Sequence, residues 1–414
     1  MSYVYPGLTC CCIEHKEGLM KVLFFANTEW YLYNFRLPLA RYLREQGHDV
    51  VMLSPPGPFV SRLQAAGFRT LTVPMQRRSL NLVRELALLN QIRRIYVQER
   101  PDLVHHFTIK CVVYGALVAR MTGSAACINA VTGLGHVFTS TELKARLLRL
   151  PVRNLLRLAL NGPNSRLIVQ NPDDAAAFLQ AGLIEAHHIR LIRGSGVDTE
   201  KFKPFMLGQA QHDGETLTSG KGDTIGQAGE PAFLTILLAS RLLWEKGIGE
   251  YVAAARQLRN EGMAAKFLLA GDPDPGNPAS IPPDQLAKWE REGDISLLGH
   301  VDDMSALLVR VDVVVLPTSY GEGVPRSLLE AAACGLPLVA TDAPGCREIV
   351  EHGINGLLVP PKDATALANA IRQLCLDPAV RQRMGQASRA KALAEFDERI
   401  VFEQTLAVYN ELKR

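Results

Sequence analysis

Twelve short apolar runs, four to seven residues each, recur along this chain with helical stretches between them, and no other feature constrains the fold as tightly. Seven lie in the first half, at 21–26, 49–54, 68–74, 102–107, 126–131, 166–170 and 189–193; five follow at 233–239, 266–270, 295–298, 312–317 and 338–341. Stretches such as KVLFFA and DVVVLP have no polar residue at every second position, which is the pattern of strands buried on both faces of a parallel sheet. Parallel neighbours need a crossover, and the segments between the runs have helical length. The rhythm predicts an α/β chain of two Rossmann-like, doubly wound domains facing a cleft, with ligands held at the carboxyl ends of the strands.

Residues 206–231 interrupt the rhythm with Gly, Gln, Thr and Ser and few large apolar side chains, as a linker or exposed insertion does. The expected domains are therefore 20–205 and 232–394, and a last helix within 395–414 docks on either of them. Residues 1–19 read as an unstructured extension. Its Cys10, Cys11 and Cys12 lack metal-ligand spacing, and the eight cysteines suit free thiols in a cytosolic protein. No apolar run approaches the roughly 18 residues that cross a bilayer.

Charge is divided unevenly. Residues 1–200 hold 23 Lys and Arg against 14 Asp and Glu, whereas the remainder holds 22 against 28. The first half is thus expected to face something anionic. Within it, TELKARLLRLPVRNLLRLALN places Arg146, Arg149, Arg153 and Arg157 on one helical stripe with most leucines turned away, and Pro151 is expected to kink or split the helix. That stripe reads as a peripheral contact with anionic lipid headgroups, or as a solvated face over leucine packing. No nucleic-acid recognition module is readable.

The densest chemistry lies in YGEGVPRSLLEAAACG, residues 320–335, directly after the run 312–317. A short loop carries Glu322, Pro325 opens a helix, and Glu330 lies about 7 Å below the helix mouth at about 1.5 Å per residue. Helical side chains lean toward the N-terminus, so the Glu330 carboxylate reaches back to the mouth. Gly323, Val324 and Pro325 at that mouth suit a phosphate, through free amides and the positive end of the dipole. Arg241 and Lys246 follow the run 233–239 and come to the same sheet edge, where together they neutralise a diphosphate. A nucleotide diphosphate sugar has this layout: phosphates in the middle, hydroxyls toward two carboxylates.

The Arg241/Lys246 pair, the two glutamates and the run GLPLVATDAPGCREIVEHGINGLLVPPKD resemble the retaining nucleotide-sugar glycosyltransferases of family 4, which have the two-domain GT-B fold. In the first half, YNFRLPLARYLREQGHDV, PDLVHHFTIK and VTGLGHVF resemble the subgroup acting on polyprenyl-diphosphate-linked acceptors in bacterial polysaccharide and glycan assembly. The resemblance implies that Arg241 and Lys246 hold the donor diphosphate, Glu330 the ribose and Glu322 the sugar near its reacting carbon. It implies that Gly299, His300 and Val301 take the base through backbone contacts, with UDP as the nucleotide. It also implies that His106 faces the sugar from the other domain. His105 points to the opposite side of that strand, and one of the two histidines is a satisfied core residue.

One departure from the family stands out. Asn27-Thr28-Glu29-Trp30-Tyr31 replaces the usual glycine-rich loop after the first strand, which puts a backbone phosphate cradle there in doubt. Trp30, Tyr31 and Tyr33 stack on a sugar acceptor or pack into the core. Asp272-Pro-Asp274 reads as a turn rather than a metal motif, Gly194-Ser195-Gly196 as a turn, and Asp173-Asp174 as helix capping. No cofactor is expected, and activity should survive EDTA because fixed cations serve the leaving group. The expected activity is transfer of a hexose or N-acetylhexosamine from a UDP-sugar to a lipid-linked saccharide, in the cytoplasm at the inner face of the cell membrane. A UDP-sugar epimerase and a non-catalytic sugar-nucleotide-binding subunit are the alternatives.

Overall fold

The computed structural model describes residues 18–76, 81–123, 125–131, 143–204 and 233–413. Nearly all of the expected extension and the whole expected linker lie outside the described residues.

Two sheets carry the chain. The first orders β1 (Lys21–Phe25), β2 (Asp49–Ser54), β3 (Arg69–Thr72), β4 (Leu103–Phe107), β5 (Ala126–Ala130), β6 (Ser165–Val169) and β7 (Ile189–Leu191) as β3-β2-β1-β4-β5-β6-β7. The second orders β8 (Leu234–Ala239), β9 (Ala265–Ala270), β10 (Ser296–Gly299), β11 (Val313–Leu316), β12 (Leu338–Thr341) and β13 (Gly356–Val359) as β10-β9-β8-β11-β12-β13. The described pairings are parallel, for example Phe25 opposite His106 and Val314 opposite Leu338. Strand order reverses between β1 and β4 and again between β8 and β11. Chain leaving these pairs at their carboxyl ends diverges, and the crevice so formed is where doubly wound sheets take ligands.

Every expected strand is present, with ends moved by one or two residues at most. The second sheet has a sixth strand, β13, that the apolar pattern did not single out. It has only four residues, opens on a glycine, and is fixed by its register with β12 rather than by length. The helical stretch between the first two strands is not one regular helix. The chain leaving β1 forms a short turn at Glu29–Tyr31, a π-helical turn at Leu32–Arg36, and then α1 (Leu37–Glu45). After α2 (Phe59–Ala65) come α3 (Leu82–Glu99), α4 (Ile109–Thr122) and α5 (Leu143–Leu160). Of the kink or split expected at Pro151, the split does not occur: α5 is one helix with the proline inside it. A proline removes one hydrogen bond, a local loss that an 18-residue helix absorbs.

By its contacts the chain forms two compact units. One is Met1–Ala130, Leu158–Arg166 and Tyr409–Arg414; the other is Val131–Arg157 and Leu167–Val408. The expected boundaries at 205 and 232 fall inside the second unit, and the end of the last helix belongs to the first. The first unit's core joins Leu23, Phe25, Val104 and Cys111 with Ile92 and Tyr96 of α3. In the second, the two faces of the sheet carry separate apolar clusters, one around Tyr251 and Ile371 and one around Leu329 and Phe396. The five described cysteines are free and buried, as expected; burial pushes Cys111, Cys127, Cys334 and Cys346 up to about 12.

Candidate active site

In the second unit, the switch point between β8 and β11 gathers the charged residues singled out from the sequence. The turn at Trp244–Lys246 is tied to the loop after β11, where the Ser319 amide and the Thr318 hydroxyl both donate to Glu245 O, at 2.9 and 3.1 Å. Lys246 is thereby carried to Glu322. Its Nζ lies 2.5 Å from Glu322 Oε1, and both side chains are largely buried, 11% and 16% exposed.

The Glu322 loop is braced on three sides. Its amide donates to Pro344 O at 3.2 Å, its carbonyl accepts from Asn171 Nδ2 at 3.0 Å, and the Val324 amide donates to Gln170 Oε1 at 3.1 Å. Gly345 packs so closely beneath the loop that a Cβ there would sit 1.5 Å from Gly323 O, and its φ of +83° already favours glycine. Pro325 is the N-cap of α10 (Arg326–Ala333), so the helix begins one residue later than expected, and no side chain caps it. (The described helices between are α6, Pro172–Gln180; α7, Ile248–Asn260; α8, Pro283–Arg291; and α9, Met304–Leu308.) An apolar face of α10, including Leu328 and Leu329, is buried and holds the helix axis in place.

Glu330 is in the second turn of α10 and only 9% exposed. Burial raises its carboxyl above the usual range, and the neighbouring Arg326 opposes that shift with an Nε–Oε1 contact of 2.7 Å. Arg241 is the accessible cation, 59% exposed, and pairs with Asp274 at 2.9 Å. Asp274 also accepts from Asn277 Nδ2 at 3.2 Å, as a turn residue does. Among the described residues no cluster of His, Cys, Asp and Glu suits a metal ion. Gly299 ends β10 and His300 and Val301 follow it, with His300 exposed between Asp272 and Asp302, 3.5 Å from each. Gly194 and Gly196 occupy positive-φ turns, and Asp173 stands 3.5 Å from Arg347 while Asn171 caps α6.

The sequence reading missed Gln170, Asn171 and Arg326. The first two stand directly after the apolar run of β6, a position where polar residues at a strand's carboxyl end signal a site. Arg326 is four residues before Glu330, the spacing of a helical ion pair.

In the first unit both histidines of β4 are buried, and they differ in what their rings meet. His106 is fully buried; Nδ1 lies 2.9 Å from Asn129 Oδ1 and Nε2 lies 2.9 Å from Tyr96 OH. Asn129 Nδ2 donates to Ser165 Oγ, which fixes Oδ1 as the acceptor for His106. The ring therefore carries its proton on Nδ1 and accepts from Tyr96, and burial lowers it to about 4. Gly115 leaves the space the ring fills: a Cβ there would lie 2.2 Å from Nε2. His106 is the satisfied core histidine. His105 has only Nδ1 engaged, 2.6 Å from Tyr409 OH, and its buried Nε2 has no partner.

Tyr31 stacks on Phe35, with centroids 5.2 Å apart, and lies near Phe107, whereas Trp30 is 42% exposed. Tyr33 packs on Phe59. Arg153 is exposed on α5, but Leu155 and Leu158 beside it are exposed too, so the leucines are not uniformly turned away. The side chains of Arg146 and Arg149 lie outside the described residues.

Two family profiles match this chain: "Glycosyl transferase 4-like" over residues 21–171 and "Glycosyl transferases group 1" over residues 234–377. The chain is a family 4 glycosyltransferase. This glycosyltransferase is 27% identical over 393 residues to the N,N'-diacetylbacillosaminyl-diphospho-undecaprenol alpha-1,3-N-acetylgalactosaminyltransferase of Campylobacter jejuni, covering 94% of this chain and 98% of that one. It is 25% identical to the UDP-Gal:alpha-D-GlcNAc-diphosphoundecaprenol alpha-1,3-galactosyltransferase of Escherichia coli, with 80% of each chain covered. Its fold matches that of Anabaena HepE, solved in complex with UDP and glucose, at a TM-score of 0.73 and 21% identity over 94% of this chain and 99% of that one. The glycosyltransferase thus has the GT-B architecture of two parallel-sheet, Rossmann-like domains.

Proposed function

We propose that this enzyme moves a hexose or N-acetylhexosamine from a UDP-sugar to a saccharide carried on a polyprenyl diphosphate, with retention at the anomeric carbon, in the assembly of a cell-surface polysaccharide or glycan. The observation that carries the reading is the meeting of Arg241, Lys246, Glu322 and the uncapped mouth of α10 at one switch point. Two fixed cations and a helix dipole favour a departing diphosphate, and a carboxylate beside them favours sugar hydroxyls and an electron-poor anomeric carbon. In this reading Glu330 bonds the ribose hydroxyls. The names of the Campylobacter and Escherichia relatives, both acting on undecaprenyl-diphosphate-linked sugars, support the acceptor class. The UDP in the Anabaena complex supports the nucleotide.

The same cations do the work a divalent metal does in other sugar transferases, so turnover needs none. Peripheral binding at the inner face of the cell membrane accompanies a lipid-linked acceptor. It is supported by Leu82, Val83 and Leu86, which open α3 with 78%, 78% and 66% of their surface exposed. No helix of the described residues is long and apolar enough to cross a membrane.

The test is UDP release from a panel of UDP-sugars with and without membrane lipid extract, followed by mass spectrometry and anomeric NMR of the lipid product. Acceptor-dependent UDP release, a lipid heavier by one sugar in the donor's own configuration, and undiminished turnover in EDTA are expected. Conversion of the donor to an isomeric UDP-sugar without acceptor points instead to an epimerase. Loss of turnover on chelation, restored by Mg²⁺ or Mn²⁺, overturns the metal-free mechanism.

A further inference from the structure

Among the described residues, three buried side-chain polar atoms lack a well-formed hydrogen bond: Arg36 Nε, His105 Nε2 and Thr108 Oγ1, the last with only the weakly bonding Cys111 thiol beside it. Arg36 is brought from far along the sequence to His105 and Thr108, which flank Phe107. The Arg36 guanidinium carbon lies 4.4 Å from the centre of the Phe107 ring, His105 and Phe107 have centroids 4.1 Å apart, and Thr108 is the next residue along the chain. The convergence is at the carboxyl end of β4, beside the first unit's own switch point. Buried polar atoms are almost always satisfied, and each exception calls for an explanation.

Three further details separate this cluster from ordinary packing. Arg36 is 8% exposed, and its one described hydrogen bond runs from Nη2 to Tyr31 OH at 2.6 Å. No carboxylate meets it among the described residues, although buried guanidinium groups are rarely left without an anion. It ends a π-helical turn, a distortion that often marks functional positions. Thr108 is the N-cap of α4 yet makes no capping bond, and its φ of +75° is costly for a β-branched residue. A cation without a counter-charge, a strained hydroxyl at a helix N-terminus and a histidine nitrogen with nothing to bind share one need, which is an oxyanion.

We propose that Arg36, joined by Thr108 Oγ1 and His105 Nε2, binds a phosphoryl oxygen of the acceptor's diphosphate. The inference rests on the lipid-diphosphate acceptor proposed above. The donor diphosphate has Arg241 and Lys246 in the second unit, so the second diphosphate of the reaction needs a cation of its own. Arg36 is a binding residue in this scheme: it fixes the lipid-linked sugar and takes no part in bond making.

The test uses the full chain with Arg36→Met, which keeps apolar contact with Phe107, and Arg36→Lys. One arm measures thermal unfolding by inorganic pyrophosphate titration with the donor site filled by saturating UDP. The wild type is expected to be stabilised by pyrophosphate and Arg36→Met not to be, while UDP itself stabilises both. The second arm measures KM for the lipid acceptor, which should rise about ten- to hundredfold in Arg36→Met, the loss of one charge-assisted contact, with partial recovery in Arg36→Lys. KM for the UDP-sugar should not change. Because an unpaired buried cation strains the free protein, Arg36→Met without ligand should melt no lower than wild type. A lower melting point with unchanged acceptor KM makes Arg36 a structural residue and overturns the inference. A rise in donor KM with acceptor KM unchanged assigns the site to the donor and overturns it equally. If no lipid acceptor is ever glycosylated, the proposed function fails while the pyrophosphate arm still decides whether the anion site exists.

Discussion

Lys246 and Glu322 can be tested as one unit with two separable jobs. They neutralise each other 2.5 Å apart at 11% and 16% exposure. Removing one partner of so enclosed a pair leaves a charge with little solvent, at a cost of about 3 kcal/mol; removing both and keeping the volume costs much less. Lys246→Met and Glu322→Gln should therefore each lower the unfolding temperature, and the double variant should recover most of the loss. The coupling from the double-mutant cycle should be about 1–3 kcal/mol. Turnover should behave differently. Lys246 is aimed at the charge that develops on the leaving diphosphate, and loss of one such fixed donor costs about 10²–10³ in kcat. The double variant should thus be nearly as stable as wild type and as inactive as Lys246→Met. Calorimetry and UDP-release kinetics on four proteins suffice. If activity returns together with stability, Lys246 serves the loop and not the diphosphate, and the donor-site argument collapses.

Gly345→Ala forces a Cβ against Gly323 O, so the loop must shift; donor KM should rise more than about tenfold at unchanged secondary structure by circular dichroism. Asp274→Asn frees Arg241 from an exposed pair worth about 0–1 kcal/mol, so UDP affinity measured by calorimetry should rise, by about fivefold at most. His106, lowered by burial to about 4, binds its proton in the unfolded chain near 6.5 before it does so in the folded one. Stability should therefore be complete above pH 6.5 and fall toward pH 4, by up to about 3 kcal/mol from this residue. His105, lowered in the same direction by burial and by Arg36, adds to the slope. Unfolding curves between pH 7 and 5 should be flatter for His106→Gln, and an unchanged slope refutes the core assignment.

What was legible in the sequence is what periodicity and chain proximity encode. Strands β8 and β11 are largely apolar runs, and their exits place Lys246 and Glu322 at one edge without any knowledge of side-chain packing. Strand β13 escaped because four residues beginning with glycine give no period to read. Pro151 suggested a split because a proline's local cost is visible in sequence and the packing that outweighs it is not. The histidines show the same limit more sharply. Period two puts His105 and His106 on opposite faces but does not say which face is closed. Closure depends on Tyr96, Gly115 and Asn129, contributed by α3, α4 and β5.

The residues that escaped the sequence reading share a property. Gln170, Asn171 and Arg326 are polar groups whose partners are a backbone carbonyl, a backbone amide or a residue already assigned a role. They hold the site's parts in position, and such residues carry no motif of their own. The site they support pairs its own charges: Lys246 with Glu322, Arg326 with Glu330, Arg241 with Asp274. The three pairs differ in how much solvent reaches them, and that orders their response to a ligand. The Arg241–Asp274 pair has the most solvent and the least to lose, so a diphosphate displaces it first. Lys246 and Glu322 separate only for a ligand that answers both charges at once, phosphate on one side and sugar hydroxyls on the other. A nucleotide without its sugar meets only half of that requirement. Selectivity for the intact donor over free UDP is then a consequence of the pairing itself, and Glu322→Gln should narrow the difference between the two affinities.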